Sequence, residues 1–93
     1  MQKVKRNLIS KSEYAVLNNL NQKYHYNKLN PVSDISQISI ETGIRNNDEV
    51  LRALYTLEGK SLVSPEPKGS FTSNIWKITD IGLKAVELVE QQK

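Results

Sequence analysis

Apolar residues recur at intervals of three and four between residues 16 and 24, where Val16, Leu17, Leu20 and Tyr24 fall on one side of a helix. Ser10 and Glu13 stand before them at capping-box spacing, in which the hydroxyl and the carboxylate each accept a bond from an N–H left unpaired at a helix start. A first helix is therefore predicted to begin at Ser10. The pattern fades at "HYNKLNP". Asn30 precedes Pro31 and is driven toward extended backbone, so a loop and one short strand reaching Val32 are expected.

Ile35, Ile38 and Thr42 share one face of a second helix. Ser33 is its expected cap, Asp34 sits in its first turn, and small Ser39 lies where another helix can approach closely. Gly43 ends it in the left-handed conformation, and Ile44 plugs the corner that follows. A third helix opens with Asn46 as N-cap and Glu49 three residues later, again at capping-box spacing. It buries Val50, Leu51, Leu54 and Leu57, stops at Gly59, and leaves Asn47, Asp48, Arg52 and Thr56 facing outward.

After Gly59 the period changes from helical to extended. "SLVSPEP" and "SNIWKIT" read as two strands of a hairpin with its tip around Gly69. Trp76 and Ile78 share the inward face while Lys77 points away, and Pro65 and Pro67, lacking donors, belong to an edge or a loop margin. Thr79 caps a terminal helix running to about Gln91. Ile81, Ala85, Leu88 and Val89 are expected on its core side, with Leu83 and Val86 on another.

With 93 residues, the chain suits one core that buries roughly 60 to 70% of the unfolded surface. The expected division is a basic N-terminal arm over residues 1–9 and a single domain over residues 10–93. Cysteine is absent, which excludes disulfides and thiolate metal sites. No apolar run has the length of a membrane helix or a secretory signal, so a cytoplasmic protein is expected. Lys3, Lys5, Arg6 and Lys11 fall in an acid-free start, while nine basic and ten acidic residues follow from Ser12 onward. The net charge of +3 therefore resides in the arm, which reads equally as a solvated tail or as a phosphate-binding segment. His25 is the single histidine, and there is neither a glycine-rich phosphate loop nor a serine nucleophile elbow. The expectation is no enzyme, no metal and no cofactor.

Three segments carry a resemblance. "ISQISIETGI" looks like the supporting helix and turn of a helix-turn-helix, with Ser39 four residues before Gly43. "VLRALYTLEGKSLV" is similar to a recognition helix running into a wing strand. "IWKITDIG" looks like a second wing strand followed by the threonine, two residues and glycine that open a last helix. From about Ser10 to Glu90 the chain resembles the winged helix-turn-helix transcription regulators of bacteria and archaea. Val50 lies seven residues after Gly43, one more than the strict spacing, so the turn is one residue longer.

The resemblance implies a mainly helical α+β winged helix-turn-helix that binds double-stranded DNA, with residues 46–58 as recognition helix and 64–74 as wing. Arg45, Asn46, Asn47, Arg52 and Thr56 are then the residues expected to face DNA. Arginine pairs in bidentate fashion with guanine and asparagine with adenine. Lys68, Ser70 and Thr72 on the wing, with Lys5 and Arg6 in the arm, are expected at phosphate or in the minor groove. The plain alternatives are that Asn46 is only a cap and that Arg52 is only an exposed helix former. Trp76 and the tyrosines suggest core packing more than base stacking. A competing class is a winged helix used for protein contacts, which Asp48 and Glu49 favour because acids repel phosphate. One recognition helix covers a small footprint, so a homodimer is expected. Leu83 and Val86 of the last helix are its expected interface, and Val4, Leu8 and Ile9 of the arm can cover the same surface.

Overall fold

The computed structural model describes residues 9–70 and 72–91. The arm, except Ile9, lies outside the described residues, and Lys5 and Arg6 lie outside with it. Among the described residues seven elements follow one another: α1 (Lys11–Tyr26), β1 (Val32–Asp34), α2 (Ile35–Thr42), α3 (Asn47–Gly59), β2 (Val63–Pro65), β3 (Ile75–Ile78) and α4 (Asp80–Gln91). The fold is α+β and mainly helical, with a small antiparallel sheet in the order β1-β3-β2.

Helix α1 packs against α2, α3 and α4 and against β3. Its capping box is complete: the Glu13 N–H donates to Ser10 Oγ at 3.2 Å and the Ser10 N–H donates to Glu13 Oε1 at 3.1 Å. The stripe expected to be apolar is inside, with Val16, Leu17 and Leu20 fully buried. Polar ties then fix the helix to its neighbours. Asn19 Nδ2 donates to Glu41 Oε1 at 2.9 Å and Lys23 Nζ lies 3.0 Å from Glu41 Oε2, with Gln37 Nε2 donating to that same oxygen. The Asn19 bond first, then those from Gln37 and Lys23, hold the Glu41 carboxyl down at a pKa of about 2.

The short strand before α2 is present, and it changes the cap. Ser33 sits in β1 opposite Trp76, with its side chain buried. It cannot reach the helix start, so Asp34 caps α2 instead, accepting from the Gln37 N–H at 2.7 Å.

Helix α3 also ends differently from the expectation at Gly59, which is its last helical residue. The left-handed position falls on Ser61, with φ of 65°. The Ser61 N–H bonds to the Glu58 carbonyl at 2.9 Å and the Leu62 N–H to the Leu57 carbonyl at 3.0 Å. This is the paired bonding of a Schellman motif, with serine at the position glycine usually takes.

The hairpin follows its expected facing. Trp76 and Ile78 are buried, and Pro65 lies on edge strand β2 opposite Trp76. Thr79 then joins sheet to helix. Its N–H bonds to the Leu62 carbonyl at 3.0 Å, its hydroxyl donates to the Ser61 carbonyl at 2.7 Å and accepts from the Gly82 N–H at 3.0 Å. A Cβ at Gly82 would stand 2.1 Å from the Leu62 carbonyl oxygen, so only glycine lets α4 come this close.

That approach sets the rotation of α4 and shifts the expected assignment of its faces. Val86 is 2% exposed, and Leu83 packs against the core together with Ala85, which was expected there, whereas Ile81 and Leu88 are 57% and 58% exposed. The pair expected at a dimer interface, Leu83 and Val86, is therefore turned toward this chain's own core.

Candidate nucleic-acid interface

The junction of α2 and α3 is held by local bonds. Gly43 is left-handed at φ 81°, and its N–H bonds to the Ser39 carbonyl at 3.0 Å. Ser39 Oγ donates to the Ile44 carbonyl; Thr42 Oγ1 donates to the Ile38 carbonyl at 2.7 Å and accepts from the Ile44 N–H at 3.3 Å. Ile44 is half-buried against the core. This corner lets the chain reverse into α3 without loss of register, and it leaves Arg45 exposed beside the start of α3.

Asn46 is the N-cap, with its side-chain oxygen accepting from the Asp48 N–H at 2.8 Å. Neither half of the expected capping box forms: the Asn46 side chain accepts from Asp48 and not from the Glu49 N–H, and Glu49 turns away to accept from Ser12 Oγ at 3.1 Å. That bond ties α3 to α1, as does the approach of Lys60 Nζ to Glu13 Oε1 at 3.8 Å. Inward, Val50, Leu54 and Leu57 are fully buried and Ala53 nearly so, while Leu51 is only partly covered. α3 is thus braced along its inner face, and its outer face remains open.

The residues expected on that outer face divide between two flanks. Arg52 and Thr56 border a shallow groove shared with Glu49 and with Ser10, Ser12 and Glu13 at the start of α1. Thr56 Oγ1 donates to the Arg52 carbonyl at 3.1 Å, which leaves that hydroxyl mainly its acceptor capacity. Asn47 lies on the other flank, in a groove with Asp34 and Ser36 at the start of α2, Asp48 and Leu51, and Asn74 leading into β3. Each flank carries two carboxylates, Glu13 and Glu49 beside Arg52 and Asp34 and Asp48 beside Asn47, and each suits the donor groups of base edges more than phosphate. Arg52 brings a positive charge to the first.

Tyr55 lies between the flanks and was not legible as a site residue from periodicity. It is 42% exposed, with its ring edge-on to Trp76 at 6.1 Å between centroids. Its position three residues after Arg52 is the available signal, since residues three apart share a helix face. Behind it the hairpin is stiffly built. Trp76 Nε1 donates to the Ser73 carbonyl at 3.0 Å, Ser73 Oγ donates to the Glu66 carbonyl at 2.7 Å, and Lys77 pairs with Glu66 at 3.1 Å. Lys68 and Thr72 are exposed on the connecting loop and Ser70 is half-buried, its N–H bonded to the Pro67 carbonyl at 3.1 Å.

Among the described residues no helix is long and apolar enough to cross a membrane, and no cluster of three or more His, Cys, Asp or Glu side chains is arranged to hold a metal ion. Comparison of the chain with protein-family models, with curated proteins and with solved structures found no match.

Proposed function

We propose that this chain is a winged helix-turn-helix protein that binds double-stranded DNA in a sequence-specific manner and acts as a small cytoplasmic transcription regulator without enzymatic activity. The observation that carries the reading is the state of α3: its inner stripe is fully buried, while Arg52 and Tyr55 stand on its exposed side beside a braced β-hairpin. An outward helix held this way is the part that enters a major groove. In this reading α3, with its cap Asn46, is the recognition helix and residues 64–74 are the wing. Arg52 pairs with guanine, Asn47 meets a base edge, and Arg45, Thr56, Lys68, Ser70 and Thr72 meet backbone or minor groove. Lys5 and Arg6 of the arm add sequence-independent attraction.

A single module of this kind covers on the order of 600 to 1,000 Å², and two copies on adjacent half-sites raise both affinity and selectivity. The dimer contact is the outward stripe of α4 marked by Ile81 and Leu88. Paired antiparallel about a two-fold axis, this stripe sets Ile81 against Leu88 of the second copy. It also brings Lys84 within a helical turn of Glu87 of that copy, and neither residue makes an ion pair among the described residues. Sedimentation at micromolar concentration tests this: a dimer that becomes a monomer when Ile81 and Leu88 are both changed to Lys supports it, and a wild-type monomer refutes it.

A second reading, a winged helix for protein contacts, is favoured by Asp34 and Asp48 on one flank of α3. Salt dependence separates the two. Affinity for a mixed-sequence duplex, read by fluorescence anisotropy at low and moderate salt, should fall with a log–log slope of about 0.9 per phosphate contacted. No binding, or affinity indifferent to salt, would leave the protein-contact reading in place.

A further inference from the structure

We infer that Tyr55 reads the 5-methyl group of a thymine, on the base pair next to the one read by Arg52. This rests on the DNA-binding reading above. Tyr55 is 42% exposed on the open side of α3, while the inner stripe of that helix is filled by Val50, Leu54 and Leu57. Its ring is not a loose surface group. The edge contact with Trp76 at 6.1 Å holds it, and Trp76 is itself fully buried and bonded through Nε1 to the Ser73 carbonyl. A ring supported from behind presents its remaining face in one direction.

Three chemistries are open to such a ring on a duplex. Stacking on a base requires that base to leave the helical stack, and a regular helix lying in a groove offers no wedge for that. A phosphate contact would use the hydroxyl and carry no sequence information. The exposed ring face remains, and the thymine methyl is the apolar group that base pairs present in the major groove. Spacing supplies the neighbour. Residues three apart on a helix are separated by about 4.5 Å along its axis, close to the roughly 3.4 Å between base pairs. Arg52 and Tyr55 thus fall on successive steps, guanine for the first and thymine for the second.

The experiment begins with duplexes enriched from a random library by the full chain. In the best duplex, each thymine is replaced singly by uracil, which removes the methyl group and nothing else. For the wild-type protein, one thymine adjacent to a guanine should lose about fourfold in affinity, the equivalent of one buried methyl group. Tyr55→Ala should bind the thymine and uracil duplexes equally, and Tyr55→Phe should keep the discrimination because it keeps the ring. Tyr55→Gln, with good helix propensity, serves the same purpose if the alanine variant is poorly folded by Trp76 emission. Uniform tolerance of uracil by the wild type, or discrimination that survives in Tyr55→Ala and Tyr55→Gln, overturns the inference while leaving DNA binding intact. Discrimination lost in Tyr55→Phe assigns the contact to the hydroxyl and also overturns it. If no duplex is enriched at all, the DNA-binding reading fails first and this one falls with it.

Discussion

Replacing Gly82 by alanine adds one methyl group to the first turn of α4, a change that in an open helix favours folding by about 1 kcal/mol. Here the sign should reverse. The new Cβ would stand 2.1 Å from the Leu62 carbonyl oxygen and 2.6 Å from Ile78 Cγ1, and the first of these is backbone that cannot rotate aside. Carbon–oxygen contacts settle near 3.3 Å at about the closest, so α4 has to retreat by roughly 1 Å. Retreat strains the bonds from the Thr79 N–H to the Leu62 carbonyl and from the Thr79 hydroxyl to the Ser61 carbonyl. Overpacking costs about 1 to 3 kcal/mol and each lost bond about 0.5 to 1.5 kcal/mol. After the helix-propensity gain of about 1 kcal/mol is set against these, the net loss is about 1 to 5 kcal/mol, centred on about 3. Gly59→Ala is the control, since nothing lies within 4 Å of its added Cβ, and it should gain about 0.5 to 1 kcal/mol. Urea unfolding followed by Trp76, the single tryptophan, reads both. With a slope of about 1 to 3 kcal/mol per molar urea, Gly82→Ala should lower the midpoint by about 1 to 2 M. A Gly82→Ala midpoint at or above the wild type refutes the close-approach argument.

Ser61→Gly should raise stability by up to about 1 kcal/mol, because the left-handed backbone at φ 65° strains serine and not glycine; an unchanged thermal midpoint counts against it. Glu41 titrates well below its ordinary value in the folded chain, so its stabilising bonds are fully present above about pH 4.5 and are lost as pH falls toward about 2. The stability gap between wild type and Glu41→Gln, followed by thermal melts from pH 5 down to pH 2, should therefore narrow with acid, and a constant gap contradicts this. Arg52→Ala should cost about 1 to 3 kcal/mol in affinity for a selected duplex, with its urea midpoint unmoved because the side chain is exposed; equal affinity removes Arg52 from the base-reading set.

Local chemistry was largely readable in advance, and errors arose where tertiary contacts chose between locally equal options. Ser10 with Glu13, Asn46, and Gly43 behave as their sequence positions suggest. At the start of α2 two adjacent residues could each cap; pairing of Ser33 with β3 across the sheet removes it and leaves Asp34. At the end of α3 glycine was the obvious left-handed residue, yet the buried seat of Leu62 carries the helix to Gly59 and moves that position to Ser61. Two apolar stripes run along α4, one through Ile81, Ala85 and Leu88, the other through Leu83 and Val86, and periodicity does not rank them. The Gly82 approach to Leu62, more than a dozen residues away in sequence, turns the second stripe inward. The candidate interface was legible as residue types on one helix. Its division into an α1 flank with Arg52 and an α2 flank with Asn47, each carrying two carboxylates, depends on which helix starts lie alongside, which is a property of the assembled fold.

The strand order β1-β3-β2 also has a bearing on how the chain folds. β3 is the one described strand with two partners, and β1 and β2 do not touch each other across the sheet. During synthesis α1, α2 and α3 emerge with β1 and β2 before β3 exists, so neither early strand has anything to pair with. Val32 then meets Lys77 across a long intervening stretch of chain, a loop closure that becomes favourable once the helices have already drawn the ends together. β3 thus joins a local pairing with β2 to a distant pairing with β1, and the sheet is complete only when both are made. Trp76 lies fully buried in the strand that both pairings share, so one indole reports on the near and the far closure together.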